Sequence, residues 1–193
     1  MKLSVTVALL CLASRAYSLV AAPPPTRVDS SVPTLVDRDL ATATSVLADV
    51  KNGFVALAAA AKDFNGDPGP LKTAASGLLA KVESGTTAVK NMTPLSFFEC
   101  LSLLAPAQDL QKQGKALSDQ LKAKKDLIQQ YKQCATTYGF LDTGVTDSVA
   151  LITAVVSKVP SIFKDTVQNE GNKITQQLKD LRDAFAPGNC SDS

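Results

Sequence analysis

Residues 107–133 have the sequence AQDLQKQGKALSDQLKAKKDLIQQYKQ, which is the clearest helical pattern in the chain. Its apolar positions recur at alternating spacings of three and four, which is the period of one face of an α-helix. Nearly all the residues between them are polar, so the opposite face is suited to water. A helix with one apolar stripe needs partner helices, and the stretch therefore predicts a helical bundle. The stripe consists of Ala107, Leu110, Gly114, Leu117, Leu121, Ile128 and Tyr131.

The same period occurs on both sides of this stretch. A helix from about Thr34 to Lys62 is predicted by eight consecutive apolar positions, and a second from about Leu71 to Asn91 repeats the pattern, with a turn rich in Gly and Pro at 65–70 between them. Thr93-Pro94 is a helix-start signal, and the apolar run 95–104 that follows should be deeply buried. The first helix uses Val36, Leu40, Ala43, Leu47, Val50, Phe54, Leu57 and Ala61.

Two further helices are expected towards the C-terminus. Gly139 and Gly144 bracket a predicted loop, after which a helix covers about 146–159 and another runs from Pro160-Ser161 to about Phe185. The prediction is an all-α, up-and-down bundle of about five helices over residues 34–186, followed by a C-terminal tail at 187–193. A central apolar cavity and a filled core are both compatible with this pattern.

The N-terminal residues are expected to lie outside the bundle. Residues 1–18 have the positive start, short apolar run and small-residue cleavage site of a secretory signal, and residues 19–33 form a Pro-rich arm without periodicity. We expect no later segment to be long enough for a membrane anchor, and 187–193 lacks the hydrophobic tail of a lipid-anchor signal. The sequence thus predicts a secreted, extracellular protein.

Composition argues against several kinds of chemistry. The chain of 193 residues contains no His, which excludes His-dependent triads, imidazole proton transfer and HExxH zinc sites. Without Lys2 and Arg15 of the leader, 18 basic and 18 acidic residues remain, so no basic excess favours nucleic acid. We expect neither an enzyme nor a bound metal or cofactor.

Three cysteines remain once Cys11 leaves with the leader, so one pair and one free thiol are expected. If Pro106 only kinks one long helix, Cys100 and Cys134 lie roughly 50 Å apart along it and cannot bond. If the chain reverses at Pro160, Cys134 and the C-terminal tail come to the same end of the bundle. We therefore favour a Cys134–Cys190 disulfide with Cys100 as a buried free thiol.

Several of these segments together resemble a known family. The runs 106–110 (PAQDL), 121–125 (LKAKK), 150–156 (ALITAVV) and 157–160 (SKVP) make the chain similar to the fungal hydrophobic surface-binding protein A and cell-wall galactomannoprotein family. The resemblance implies a secreted, non-enzymatic bundle that adsorbs to hydrophobic surfaces, associates with the cell wall in some members, and can recruit a secreted esterase. Related domains enclose fatty acids in a central apolar cavity. The three cysteines and the Phe97-Phe98 pair depart from the family pattern.

The candidate ligand-binding residues follow from the apolar stripes. Such stripes form a packed core by default, but small inward residues such as Gly85 and Gly114 leave room for a hydrocarbon. The candidate lining consists of Phe54, Leu57, Leu78, Val82, Phe97, Phe98, Leu117, Leu121, Ile152, Val156, Phe163 and Ile174.

Lys124 occupies a position of the stripe where an apolar residue is expected. Such a side chain ordinarily extends its ammonium to water; the alternative hypothesis is that Lys124 or Lys125 contacts a fatty-acid carboxylate. A second class of function is a secreted helical protein that inhibits or recruits a hydrolase through its surface. Known bundles of that class carry a Cys-bridged N-terminal hairpin, whereas no cysteine of the mature chain precedes Cys100.

Overall fold

The computed structural model describes residues 35–192, with side chains from residue 39 onwards. All regular structure in this part of the chain is helical, which confirms the predicted fold class. The signal and arm predictions, 1–18 and 19–33, lie outside the described residues. The helices are α1 (Leu35–Asp63), α2 (Gly69–Asn91), α3 (Phe97–Ala123), α4 (Lys125–Gln130), α5 (Cys134–Lys158) and α6 (Ser161–Ala184).

The five long helices form a curved array in the order α3–α1–α2–α5–α6. α1 packs against both α2 and α3, while α5 packs against both α2 and α6. Successive long helices run in opposite directions, because each connection reverses the chain. The Leu95 N–H, before α3, donates to the Lys158 carbonyl at the end of α5, and Lys124, after α3, donates to Phe64 at the end of α1. The short α4 crosses one end between α3 and α5, and its Ile128 is completely buried. α3 and α6, the two ends of the array, make few contacts with each other.

Helix α3 begins later than the sequence suggested. Thr93-Pro94 precedes the helix, and the N-cap is Ser96, whose hydroxyl accepts from the Glu99 backbone N–H while the Glu99 carboxylate accepts from the Ser96 N–H at 2.6 Å. This capping box satisfies two backbone donors at once. The helix continues through Pro106 and ends at Ala123, with Lys124 as its C-cap, so the stripe at 107–133 forms two helices rather than one.

Helix α5 corrects another expectation, because Gly139 and Gly144 lie inside it and form no loop. Apolar residues between and after the glycines continue the helical pattern towards α2, where Gly144 faces Leu79. Packing of this face compensates the low helix propensity of glycine. The 25-residue helix is also long and apolar enough to cross a membrane by length and composition, so the expectation that no segment meets that criterion was wrong. Only 11% of its most apolar 18-residue window is buried within the described chain, whereas core helices of soluble bundles that meet this criterion are mostly buried.

The C-terminal tail is fastened to the start of α5. Cys134 and Cys190 form a disulfide with Cα atoms 5.5 Å apart, the pair that the sequence favoured. Cys100 is a buried free thiol on α3. Both cysteines of the pair are buried, as are Leu181 and Phe185 at the end of α6. The tail therefore closes the end of the bundle that α4 also covers.

Candidate functional site

The sparse contact between α3 and α6 leaves a line of apolar side chains that no helix covers completely. Leu103 and Leu110 of α3 and Phe163 and Val167 of α6 pack against the core but remain half-buried, as does Ile174. We call these five residues the α3–α6 seam. Half-buried apolar side chains on two helices that make few contacts with each other form a candidate contact surface for an apolar ligand.

Two direct contacts join the helices across the seam. The rings of Phe97 and Phe163 lie with centroids 5.2 Å apart, and the Gln111 amide donates to the Glu170 carboxylate at 3.5 Å. The first contact lies where both helices begin, and the second lies further along both. A hydrogen bond of this length between partly exposed side chains adds little stability. The seam is therefore the least constrained interface among the long helices of the described chain.

The Phe97-Phe98 pair contradicts the prediction of a deeply buried run. Phe97 is 46% exposed and Phe98 77% exposed, and Leu104 is exposed as well. The residues of this turn that face the interior are Glu99 and Cys100. Phe98, which directly precedes them, lies on the outer side of the helix.

The twelve candidate lining residues occupy three kinds of environment. The buried ones lie in the core, the half-buried ones lie on α1, α5 and α6, and the exposed pair lies at the start of α3. Leu57, Leu78, Val82, Leu117 and Leu121 are buried; Phe54, Ile152, Val156, Phe163 and Ile174 are half-buried; Phe97 and Phe98 are exposed.

A small apolar cavity lies at the end of the bundle covered by α4. Its volume is about 40 Å³, well below the roughly 150 Å³ of an engineered apolar cavity that binds one benzene molecule. An acyl chain does not fit this space without movement of the helices. The lining is contributed by Leu57, Pro68, Leu71, Lys72, Ala75, Leu121, Gln133, Thr136, Thr137, Phe140 and Leu141.

A larger groove of about 390 Å³ lies on the outer side of α1 and α2 and is open to solvent. Small and polar residues line it, and Asp49 and Lys81 place charges at its walls. Charged walls disfavour an acyl chain, so the α3–α6 seam is the better candidate for an apolar ligand.

The two candidate carboxylate-binding lysines lie at the junction of α3 and α4. The Lys124 ammonium donates to the backbone carbonyl of Phe64 at 3.2 Å and so ties this junction to the end of α1. Lys125, the first residue of α4, is half-buried. Lys124 thus lies between α3 and α4, where the apolar stripe is interrupted, and its ammonium is hydrogen-bonded to the protein backbone.

Ionisable groups near the helix interfaces are mostly paired. A hydrogen bond from Lys51, and then its charge, lowers the pKa of the Asp109 carboxyl, which links α1 to α3. Partial burial raises the pKa of Asp147, and the Glu83 carboxylate raises it further. Within residues 35–192, no group of three or more Cys, Asp or Glu side chains is arranged to hold a metal.

Sequence reasoning missed some residues that matter at this site. Ile162 is 71% exposed at the start of α6, beside Phe163 in sequence. Its signal was the pair Ile162-Phe163 directly after the Pro160-Ser161 helix start, because two successive apolar residues on a helix cannot both face the same side. Leu103 and Leu110 lie seven residues apart on α3, which is the spacing of a single helix face.

Comparison of the sequence with known proteins gives a family match and two curated relatives. The family model described as hydrophobic surface binding protein A matches residues 40–157. The chain is 34% identical over 156 residues to cell wall mannoprotein 1 of Aspergillus fumigatus and 28% identical over 152 residues to that of Aspergillus flavus, covering 80% and 78% of this chain. It spans only 55% and 56% of the length of these relatives.

Solved structures share the fold. Ligand binding domain 2 of the Penicillium marneffei MP1 protein, complexed with multiple arachidonic acids, superposes with a TM-score of 0.75 at 25% identity, over 79% of this chain and 99% of that domain. AFMP4P in complex with palmitic acid superposes with a TM-score of 0.72 at 19% identity, over 76% of this chain and 99% of that chain. The second likeness concerns the fold alone.

Proposed function

The chain belongs to the hydrophobic surface binding protein A family, and we propose that it is a non-enzymatic protein that binds fatty acids and hydrophobic surfaces through the apolar side chains of its helical bundle. The observation that carries the proposal is the α3–α6 seam. Its apolar residues are half-buried in the free protein, and an acyl chain laid between α3 and α6 would remove them from water. Burial of apolar area is the main favourable term in such binding.

The likeness to a solved domain supports an acyl ligand. A domain of the MP1 protein with the same fold and 25% identity was crystallised with several arachidonic acids. The small volume of the cavity and the sparse contact at the seam support binding in which α3 and α6 separate. Only their sparse contact would have to change, while the other interfaces between long helices stay packed.

We propose that the half-buried members of the candidate lining contact the chain first, and that the buried members contact it as the bundle opens. Phe54 is a good example, because its ring lies 3.7 Å from the position that a side chain on Gly114 would take. The small residue leaves space beside the ring. For the carboxylate we propose Lys125, since the Lys124 ammonium already donates to Phe64.

Location and protein partners are further parts of the proposal. We propose that the protein is secreted or associated with the cell wall, because the curated relatives are cell wall mannoproteins. A secreted esterase that acts on the adsorbed surface is the proposed protein partner. The absence of an enzymatic role is proposed on the same relatives and on the lack of His in the chain.

The test is a binding titration of the delipidated protein with palmitic and arachidonic acid. We expect Val167→Gln, in the seam, to weaken binding about tenfold, which corresponds to about 1.4 kcal/mol. Val149→Gln serves as the matched control, because Val149 is exposed on α5. Circular dichroism establishes that both variants keep their helices.

The proposal fails if the wild type binds neither fatty acid at micromolar concentration. The assignment of the binding site to the seam fails if the two Val→Gln variants bind as tightly as the wild type, or if they weaken binding equally.

A further inference from the structure

Large apolar side chains are exposed where α3 and α6 begin. Phe98 is 77% exposed, Ile162 is 71% exposed and Phe97 is 46% exposed. We call Phe97, Phe98 and Ile162 the aromatic corner. Exposed apolar groups of this size gain free energy when a partner removes them from water, so a cluster of them marks a contact surface.

The aromatic corner is continuous with the α3–α6 seam. The Phe98 ring meets the Phe97 ring edge to face with centroids 5.6 Å apart, and Phe97 lies 5.2 Å from Phe163. Phe163 is half-buried and packs against the core. A row of three rings therefore runs from solvent to the seam without a polar side chain between successive rings.

The start of α6 adds positive charge to this corner. No side chain caps its amino end, and its first turn contains no acidic residue. The free N–H groups carry the positive end of the helix dipole. Lys164 is exposed in the same part of α6 and is followed by the exposed Asp165, so the favourable charge lies at the helix start itself.

We propose that the aromatic corner docks on a lipid surface containing free fatty acid, and that acyl chains pass from this surface into the seam during contact. The inference rests on the proposed function and adds the source of the ligand. Ile162 and Phe98 insert among the acyl chains, and the start of α6 lies against the negatively charged carboxylates. The ligand then moves along apolar groups only, which avoids the free-energy cost of bringing its chain into water.

The experiment measures transfer of a fluorescent fatty acid from vesicles of phosphatidylcholine and phosphatidylglycerol to the whole protein by stopped flow. Transfer by contact gives a rate that rises in proportion to vesicle concentration. We expect Ile162→Ser to lower this rate about fivefold, because one insertion group is lost. Binding of the same fatty acid supplied as monomer should stay within about twofold of the wild type, since Ile162 lies outside the seam.

Matched controls separate the corner from general surface effects. Val55→Ser removes another exposed β-branched residue, on α1, and is expected to leave the transfer rate unchanged. Lys164→Glu should slow transfer from vesicles that contain phosphatidylglycerol, whereas Lys179→Glu, at an exposed position near the other end of α6, should not.

A transfer rate independent of vesicle concentration overturns the inference, because the ligand then reaches the protein through water. Equal effects of Ile162→Ser and Val55→Ser also overturn it. If the wild type fails to bind monomeric fatty acid, the proposed function itself is wrong. If the wild type binds the monomer and only the contact dependence is missing, the proposed function stands without the docking corner.

Discussion

The Asp192 carboxylate accepts a hydrogen bond from the backbone N–H of Cys134 at 2.7 Å and a second from the next residue, Ala135, at 3.0 Å. Gln133, the N-cap of α5, makes no capping hydrogen bond with its own side chain. Asp192, which lies 58 positions after Cys134, therefore supplies the cap, and the Cys134–Cys190 disulfide holds it in place. The start of α5 and the C-terminal tail therefore form one structural unit.

Asp192→Ala should lower the free energy of unfolding by about 1 kcal/mol, the usual contribution of a helix cap. The neighbouring exposed residue gives the control, and Ser191→Ala should change stability by less than about 0.5 kcal/mol. Urea unfolding followed by circular dichroism measures both. Equal stability of Asp192→Ala and wild type would contradict a capping role.

Replacement of Cys134 and Cys190 together by Ser should lower the free energy of unfolding by about 4 kcal/mol, because the disulfide closes a long loop in the unfolded chain. Thermal unfolding under non-reducing conditions measures the loss. Cys100→Ser serves as control for the loss of a single buried sulfur. An effect of the double variant no larger than that of Cys100→Ser would mean that the disulfide contributes nothing to stability.

Gly171→Ala should destabilise the protein by about 1–3 kcal/mol, because the new methyl group would lie 2.4 Å from Cγ2 of Ile152 across the α5–α6 interface. Gly139→Ala is the opposite case, since nothing lies within 4 Å of its added Cβ and the helix gains propensity. The free energy of unfolding of Gly139→Ala should rise by about 0.5–1 kcal/mol. The prediction fails if chemical denaturation ranks the two variants in the reverse order.

Lys125→Ala should weaken fatty-acid binding about tenfold if its ammonium contacts the ligand carboxylate. Lys124→Ala should instead leave affinity within about twofold and lower stability by about 1 kcal/mol, because its ammonium binds the Phe64 carbonyl. Titration with palmitic acid and urea unfolding separate the two effects. Unchanged affinity in both variants would remove the carboxylate contact from this end of the bundle.

The Cys100 thiol gives a pH dependence with a definite sign. Burial raises its pKa, and the charge of Glu99 raises it further. Above the pKa of the unfolded thiol, the unfolded chain releases the proton while the folded chain keeps it, so stability falls as pH rises towards the folded pKa. Urea unfolding across alkaline pH should show a shallower decline for Cys100→Ala than for wild type, and parallel declines would contradict the assignment.

The hydrophobic period predicted where most helices lie, because their apolar stripes face neighbouring helices directly. It failed where local chemistry decides the outcome. At the start of α3, Glu99 and Cys100 are buried whereas Phe97 and Phe98 are exposed, and apolar residues around Gly139 keep α5 helical. The openness of the seam depends on which helices become neighbours, and the sequence of one chain contains no direct signal for that.

The sparse interface between α3 and α6 also bears on selectivity. Four of the five interfaces between the long helices that the structure describes are well packed, so the array keeps its order when the fifth one widens. We therefore expect the width of the bundle to be adjustable in one direction. We expect such a protein to admit one slim chain or several side by side, and to discriminate poorly among fatty acids of different length.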